Sequence, residues 1–217
     1  MTLNVVGISG KAGTGKDFLA TTVFAPAGFK PWSLAWHFKI WLVGQGKATF
    51  EEVFDTKPPH VRKLLQQEGT ELGRNVYGEN IWCDTTAAWI TLMARMWSVE
   101  NIVIPDVRFP NEVAMVHRLG GKVVRVHAPA RAAAASLSAE AREHPSETAL
   151  DDFTGFDLVV QNDPYESMPL WIQCLPVMPH KTDPTVVEAC APAPMTPEQR
   201  ALLGEMSRLN QELGEYR

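Results

Sequence analysis

The chain has 217 residues, 45% of them hydrophobic and 21% charged, with a net charge of −5. These values fit one good-sized α/β domain with an appendage and argue against DNA or another extended polyanion as partner, while a small phosphorylated ligand stays open because it answers to local Arg and Lys placement. Three separated cysteines, Cys83, Cys174 and Cys190, give neither a disulfide framework nor metal spacing, no apolar run approaches a membrane span, and no charged leader precedes the first strand, so a cytoplasmic protein that binds neither nucleic acid nor membrane is expected.

The first apolar run, Leu3 to Ile8, leads directly into Gly10-Lys11-Ala12-Gly13-Thr14-Gly15-Lys16-Asp17. This is the G-x-x-x-x-G-K pattern of a phosphate-binding loop, with Asp where Ser or Thr is usual. Four glycines between Gly7 and Gly15 let a short loop bring its N–H groups to a polyphosphate, and the next residues form a helix whose N-terminus faces the same anion. Lys16 supplies a point charge that follows a phosphoryl group as it moves. Asp17 replaces the hydroxyl that usually ligates magnesium, so the metal is held by this carboxylate through water or elsewhere.

Trp32, Trp36 and Trp41 then recur at helical spacing, serving either as packing or as a wall for a planar base. Residues 45–56 read as a loop with an acidic turn at Glu51-Glu52, and Pro58-Pro59 opens a helix carrying Val61, Leu64, Leu65 and Leu72. Three glycines around Arg74 release the chain and leave that arginine near a helix end, where its planar fork suits a bidentate phosphate contact. A helical stretch follows to about Trp97.

Strand 101–105 runs into Asp106-Val107-Arg108-Phe109-Pro110-Asn111-Glu112. Ligands of open parallel sheets sit beyond the carboxyl ends of strands, which places Asp106 and Arg108 at such an end. An apolar run closed by Asp has the form of a magnesium-holding element, whereas a helix N-cap suits Asn111 better than Asp106. A helix through Val113, Val116 and Leu119 stops at Gly120-Gly121, and strand 122–127 follows. Residues 128–150 are alanine-rich and carry Arg131, Arg142 and His144-Pro145-Ser146-Glu147, either a lid that closes over a transferring phosphate or an ordinary surface helix. Residues 156–163 make a further strand with Asn162 at its polar end, near a nucleotide base. Prolines between residues 176 and 197 mark a linker, and residues 198–217 form a helix with Leu202, Met206, Leu209 and Leu213 on one stripe.

Taken in order, Gly10 to Asp17, Leu65 to Arg74 with Trp82, Asp106 to Glu112, and His144 to Glu147 resemble the bacteriophage-type deoxynucleoside monophosphate kinases over residues 1 to about 165. The resemblance implies an α/β phosphate-loop NTPase fold, a parallel sheet flanked by helices. A kinase domain would span 1–175, with a helical monophosphate-binding region at about 30–98 and a lid at about 128–150. It implies transfer of the ATP γ-phosphoryl group, with Mg2+, to a deoxynucleoside monophosphate by a phosphotransferase supplying phage deoxynucleotides in the host cytoplasm as a homodimer. By the same resemblance Lys16 and the loop residues Gly10, Lys11, Ala12, Gly13, Thr14, Gly15 and Asp17 bind the donor, and Asn162 is expected beside them from its place at a strand end. Arg74 and Arg108 take the acceptor phosphate together with Trp82, Asp106, Asn111, Glu112 and Glu147. Arg131, and Arg142 with it, reach in from the lid, and Asp17 and Asp106 face the metal. Phe18 departs from the small hydroxyl residue expected after the loop. Two other readings fit parts of the pattern: a kinase of another small acceptor such as dephospho-coenzyme A, and a non-catalytic ATP-binding protein acting through its C-terminal helix, against which Arg74 and Arg108 argue.

Overall fold

The computed structural model describes residues 3–68, 73–135, 137–163 and 173–178. Residues 69–72, nearly all of the Pro-rich stretch and the expected C-terminal helix lie outside the described residues.

Five strands, β1 (Asn4–Ser9), β2 (Lys30–Pro31), β3 (Asn101–Val107), β4 (Lys122–His127) and β5 (Leu158–Gln161), form one parallel sheet in the order β2-β3-β1-β4-β5. The central strands are runs of Val and Ile because helices cover both faces of a parallel sheet. Alternation in β1 sends Val5 to one face and Val6 and Ile8 to the other. On the first face Val5, Ile102, Ile104 and Val123 meet Cys83, Ile90 and Met93 of α5 (Ile81–Trp97) and Val113, Met115 and Val116 of α6 (Pro110–Arg118). On the second face Val6, Ile8, Val103, Val124, Val126 and Val160 meet Leu19, Val23 and Phe24. Each fully buried aliphatic side chain contributes about 1.5–3 kcal/mol, so the strands bearing the loop and its neighbours are the rigid part of the fold.

Gly7 lets α6 approach β1 closely: a Cβ there would lie 3.0 Å from Val107 Cγ2 and 3.1 Å from Val116 Cγ2. Just beyond it the β1–β3 register slips between Gly7 and Ser9, where the strand turns into the glycine loop. Helix α1 (Lys16–Leu19) leaves that loop and widens into an i→i+5 turn over Ala20–Phe24, whose end is held by Phe24 against Phe29 edge-on at 5.3 Å.

A smaller core lies to one side of the sheet. Phe38 and Leu42 of α2 (Trp36–Gly44), Val61 of α3 (Pro59–Glu68) and Val53 from the segment between them form it, with Trp82 packed against it. The expected loop at 45–56 therefore contains a wide helical turn, Glu52–Thr56. Its cause is a capping box: Thr49 N–H donates to Glu52 Oε2 at 2.8 Å and Glu52 N–H to Thr49 Oγ1 at 3.2 Å, while Val53 is driven into the core. The short helix α4 (Asn75–Tyr77) leads from Arg74 to α5. Between β4 and β5 come three short helices, α7 (Pro129–Ala134), α8 (Ala139–Glu143) and α9 (Pro145–Thr148), in the expected helical segment.

Candidate active site

The carboxyl ends of β1, β3 and β4 lie side by side, and three chain segments meet there: the glycine loop, Asp106 to Glu112, and α7 to α9. The loop is tightly folded on itself. Gly13 and Gly15 have φ of +80° and +95°, open to glycine at little cost, and a Cβ on Gly15 would lie 2.4 Å from Asn162 Nδ2. Thr14 Oγ1 and Lys16 Nζ each donate to the Lys11 carbonyl at 2.8 Å. The Lys16 side chain is buried, and burial, with a smaller push from Arg108, pulls its pKa from 10.5 to about 8. Lys11 forms an ion pair with Asp151 at 2.6 Å. Asp17 is exposed in the first turn of α1, with no hydrogen bond to its carboxylate among the described residues.

Asn162 takes a different part from the one its sequence position suggests. Its amide donates to the Thr14 carbonyl at 2.7 Å, so it braces the loop from below. Asp106 is also differently employed. Its carboxylate accepts Ser33 Oγ–H at 2.6 Å, Leu34 N–H at 3.0 Å and Ala35 N–H at 3.2 Å, and thereby fixes the turn that starts α2. Among the described residues no group of three or more His, Cys, Asp or Glu side chains is placed to hold a metal ion. Asp17 is thus the free carboxylate at the loop and Asp106 the committed one.

Arg74 and Arg108 line one cleft, about 830 Å³ measured out to its open mouth. Its apolar wall is Leu34, Phe38, Leu65, Trp82 and Phe109, with Phe38 and Trp82 ring centroids 5.5 Å apart. Arg74 lies over the Phe109 ring at 3.9 Å, donates to Asn111 Oδ1 and the Glu79 carbonyl at 3.3 Å, and pairs with Glu112. Asn111 is not the N-cap of α6: that place is Phe109's, with Pro110 next and Glu112 at the third helical position. Glu112 accepts Arg108 N–H at 2.6 Å and Phe109 N–H at 3.1 Å, so sequence spacing alone brings this carboxylate back over its helix start. Asn111 instead ties α6 to the start of α5 through the Glu79 carbonyl at 2.9 Å and Asn80 at 3.0 Å. Burial pushes Glu112 up to about 7, opposed by the two amides and Arg74.

Arg108 donates through Nη1 to the Ser146 carbonyl at 3.1 Å and pairs with Glu147. The other oxygen of Glu147 accepts Ala12 N–H at 2.8 Å, joining the arginine cleft to the glycine loop. The Arg131 carbonyl of α7 and Ala135 just past its end press on the loop: a Cβ on Gly13 would meet them at 3.1 and 2.9 Å. The Arg131 side chain is exposed and makes no hydrogen bond or ion pair among the described residues. Arg142 caps α7, donating to the carbonyls of Ala132, Ala133 and Ala135 at 3.2, 3.1 and 2.7 Å, and lines a small pocket with Lys11, Ala12 and Glu147.

Two site residues escape the sequence reading. Arg125 of β4 donates to Ser9 Oγ at 3.0 Å, lies 3.8 Å from Asp151 and stacks over Phe156 at 5.3 Å; burial, against the pull of Asp151, lowers its pKa. Its signal was one charged residue among the buried valines of β4, and that of Ser9 was one hydroxyl at the end of the buried run of β1. The tryptophans Trp32, Trp36 and Trp89 pack on one another and on His37 and do not line the cleft.

Sheet order, glycine loop and facing arginines define an α/β protein with a phosphate-loop form of site. A sequence profile described as deoxynucleotide monophosphate kinase matches residues 43–166, more than half of the chain, including Arg74, Arg108, Glu147 and Asn162; the glycine loop lies ahead of the match. A protein of Acanthamoeba polyphaga mimivirus, provisionally named deoxynucleotide monophosphate kinase, is 28% identical over 178 residues, 73% of this chain and 88% of the relative. The chain belongs to the deoxynucleotide monophosphate kinase family.

Proposed function

We propose that the protein transfers the γ-phosphoryl group of ATP to a deoxynucleoside 5′-monophosphate, giving the diphosphate. The observation that carries the reading is the adjacency of two anion-binding sets, the glycine loop with Lys16 and the cleft with Arg108, one carboxylate apart. The loop suits a donor triphosphate: three of its glycines hold positive φ, and a desolvated lysine lacks any carboxylate partner of its own among the described residues. Magnesium ordinarily takes one or two carboxylates plus phosphate oxygens and waters, and Asp17 meets that modest demand. ATP supplies the phosphoryl group, and bound Mg2+ screens the charge of the donor phosphates.

The chain's own residues do the rest by position and charge, which is most of what phosphoryl transfer asks of a protein. Lys16 and the loop amides hold the donor phosphates. Arg108 and Arg74 receive the acceptor phosphate, Arg74 with two of its edges already fixed by Asn111 and Glu112 and Arg108 with more of its fork free. Phe38 and Trp82 give the base an apolar surface. The segment 128–150 acts as the lid, with Arg131 as its exposed cation and Arg142 keeping α7 and α8 together. No general base is needed, because the acceptor oxygen is already ionised. Supply of deoxynucleotides during viral growth, in the host cytoplasm and as a homodimer, completes the proposal. The test incubates the purified full chain with ATP, Mg2+ and each common deoxynucleoside and ribonucleoside monophosphate, including methylated and hydroxymethylated pyrimidines, and separates products by chromatography. A deoxynucleoside diphosphate is expected; no diphosphate from any acceptor refutes the reading.

A further inference from the structure

We propose that Glu147 is a positioning residue that sets the separation of the donor loop and the acceptor arginine, acting through Arg108 and the loop backbone without touching the transferred group. The inference rests on the phosphotransfer reading and goes past it, by assigning to one side chain the alignment of the two half-sites.

Four observations carry it. The side chain is 7% exposed, at the edge of the cleft it helps to line, and each oxygen serves a different half-site: Oε2 accepts Ala12 N–H at 2.8 Å and Oε1 pairs with Arg108. A carboxylate so placed is stable only with both oxygens satisfied, so the two contacts hold together or fail together. Its own backbone is fixed, since Glu147 N–H donates to the His144 carbonyl at 2.8 Å and Ser146 N–H to His144 Nδ1 at 3.2 Å. The Ser146 carbonyl accepts the same Arg108 nitrogen that Glu147 engages, so one turn of chain grips one corner of the guanidinium. Arg108 Nε and Nη2 have no partner among the described residues, and the residue lines the cleft. An arginine tied at one corner with its remaining donors free is a fork with fixed aim. Glu147 also favours the charged form of Lys16, against burial.

Glutamine at this place can accept from one side only, because its amide NH2 would face a donor on the other. In E147Q, kcat should fall about 10–100-fold, the scale of a misplacement of about 1 Å, with KM for ATP and acceptor within about threefold of wild type. E147D, which keeps the charge, should recover part of the loss. The double variant E147Q/R108A should be no slower than R108A. Native kcat in E147Q, an effect confined to acceptor KM, or a full further loss in the R108A background would each overturn the proposal, the last two by showing direct contact with substrate. A second readout is independent of turnover: hydrogen exchange at the Ala12 amide should speed at least about tenfold in E147A, and unchanged protection also overturns the bridge. If wild type transfers phosphate to no acceptor, the phosphotransfer reading fails by itself and the exchange measurement still decides whether Glu147 holds the loop.

Discussion

Replacing Lys16 with Met should abolish transfer and, at neutral pH, make the protein more stable. Folding takes this ammonium out of water, and its pKa drops from 10.5 to about 8 with the side chain 8% exposed. Because the unfolded chain keeps its proton to higher pH, it binds more protons than the native state between those two values, and native stability rises with pH across that window. Below it, both forms are charged and the fold bears the whole penalty, about 3 kcal/mol by the free-energy equivalent of that shift. Methionine fills similar space without charge and forgoes one hydrogen bond to the Lys11 carbonyl, about 1 kcal/mol. The net expectation is a gain of about 2 kcal/mol in urea unfolding at pH 7, shrinking toward zero or reversing by pH 10. Turnover in the same variant should fall at least about 100-fold. A variant that is no more stable at pH 7, with a difference that stays flat to pH 10, refutes the desolvated-lysine argument; native turnover refutes the role of Lys16 at the donor.

The same shift predicts that KM for ATP rises above pH 8, approaching tenfold per pH unit, because a neutral Lys16 must first regain a proton to meet phosphate; steady-state kinetics from pH 7 to 9.5 would show it, and a flat profile contradicts it. Asn162→Ala leaves the Thr14 carbonyl buried without its donor and should cost about 1–3 kcal/mol in urea unfolding while raising KM for ATP more than KM for the acceptor. Equal effects on both KM values would mean that Asn162 does not brace the donor loop. Arg142→Ala uncaps α7, and limited proteolysis should then cut within 128–150 faster than in wild type, at unchanged cutting elsewhere; equal rates would show the cap to be dispensable.

The glycine loop and the strand before it were legible because the pattern is local: backbone conformations that glycine permits and a lysine at fixed spacing. The parallel sheet followed from unbroken Val and Ile runs separated by helical stretches. What stayed hidden was mostly long-range pairing. The sequence reads Asp106 as a metal carboxylate, and its hydrogen bonds with Ser33, Leu34 and Ala35, more than seventy residues away, have no local signal. Asn162 likewise shows its purpose only beside Thr14, 148 residues earlier. Arg125 carries no motif, and its importance comes from the neighbours that β4 acquires in the sheet. The Glu52–Thr56 turn was written in the Thr49-x-x-Glu52 spacing, but two acidic residues without an apolar stripe resembled a loop.

The grip of Asp106 on the turn before α2 has a metric consequence. Two residues further along the same strand end stands Arg108, while the turn that Asp106 grips launches the helix bearing Phe38. Flat ring surface and cationic fork are thus surveyed from a single benchmark in β3, whose Ile102, Val103 and Ile104 are fully buried. On the proposed function, a nucleotide spanning the cleft is gauged from head to tail against one ruler, so lengthening it by a phosphate, or removing one, should weaken its binding even where its ring is unchanged.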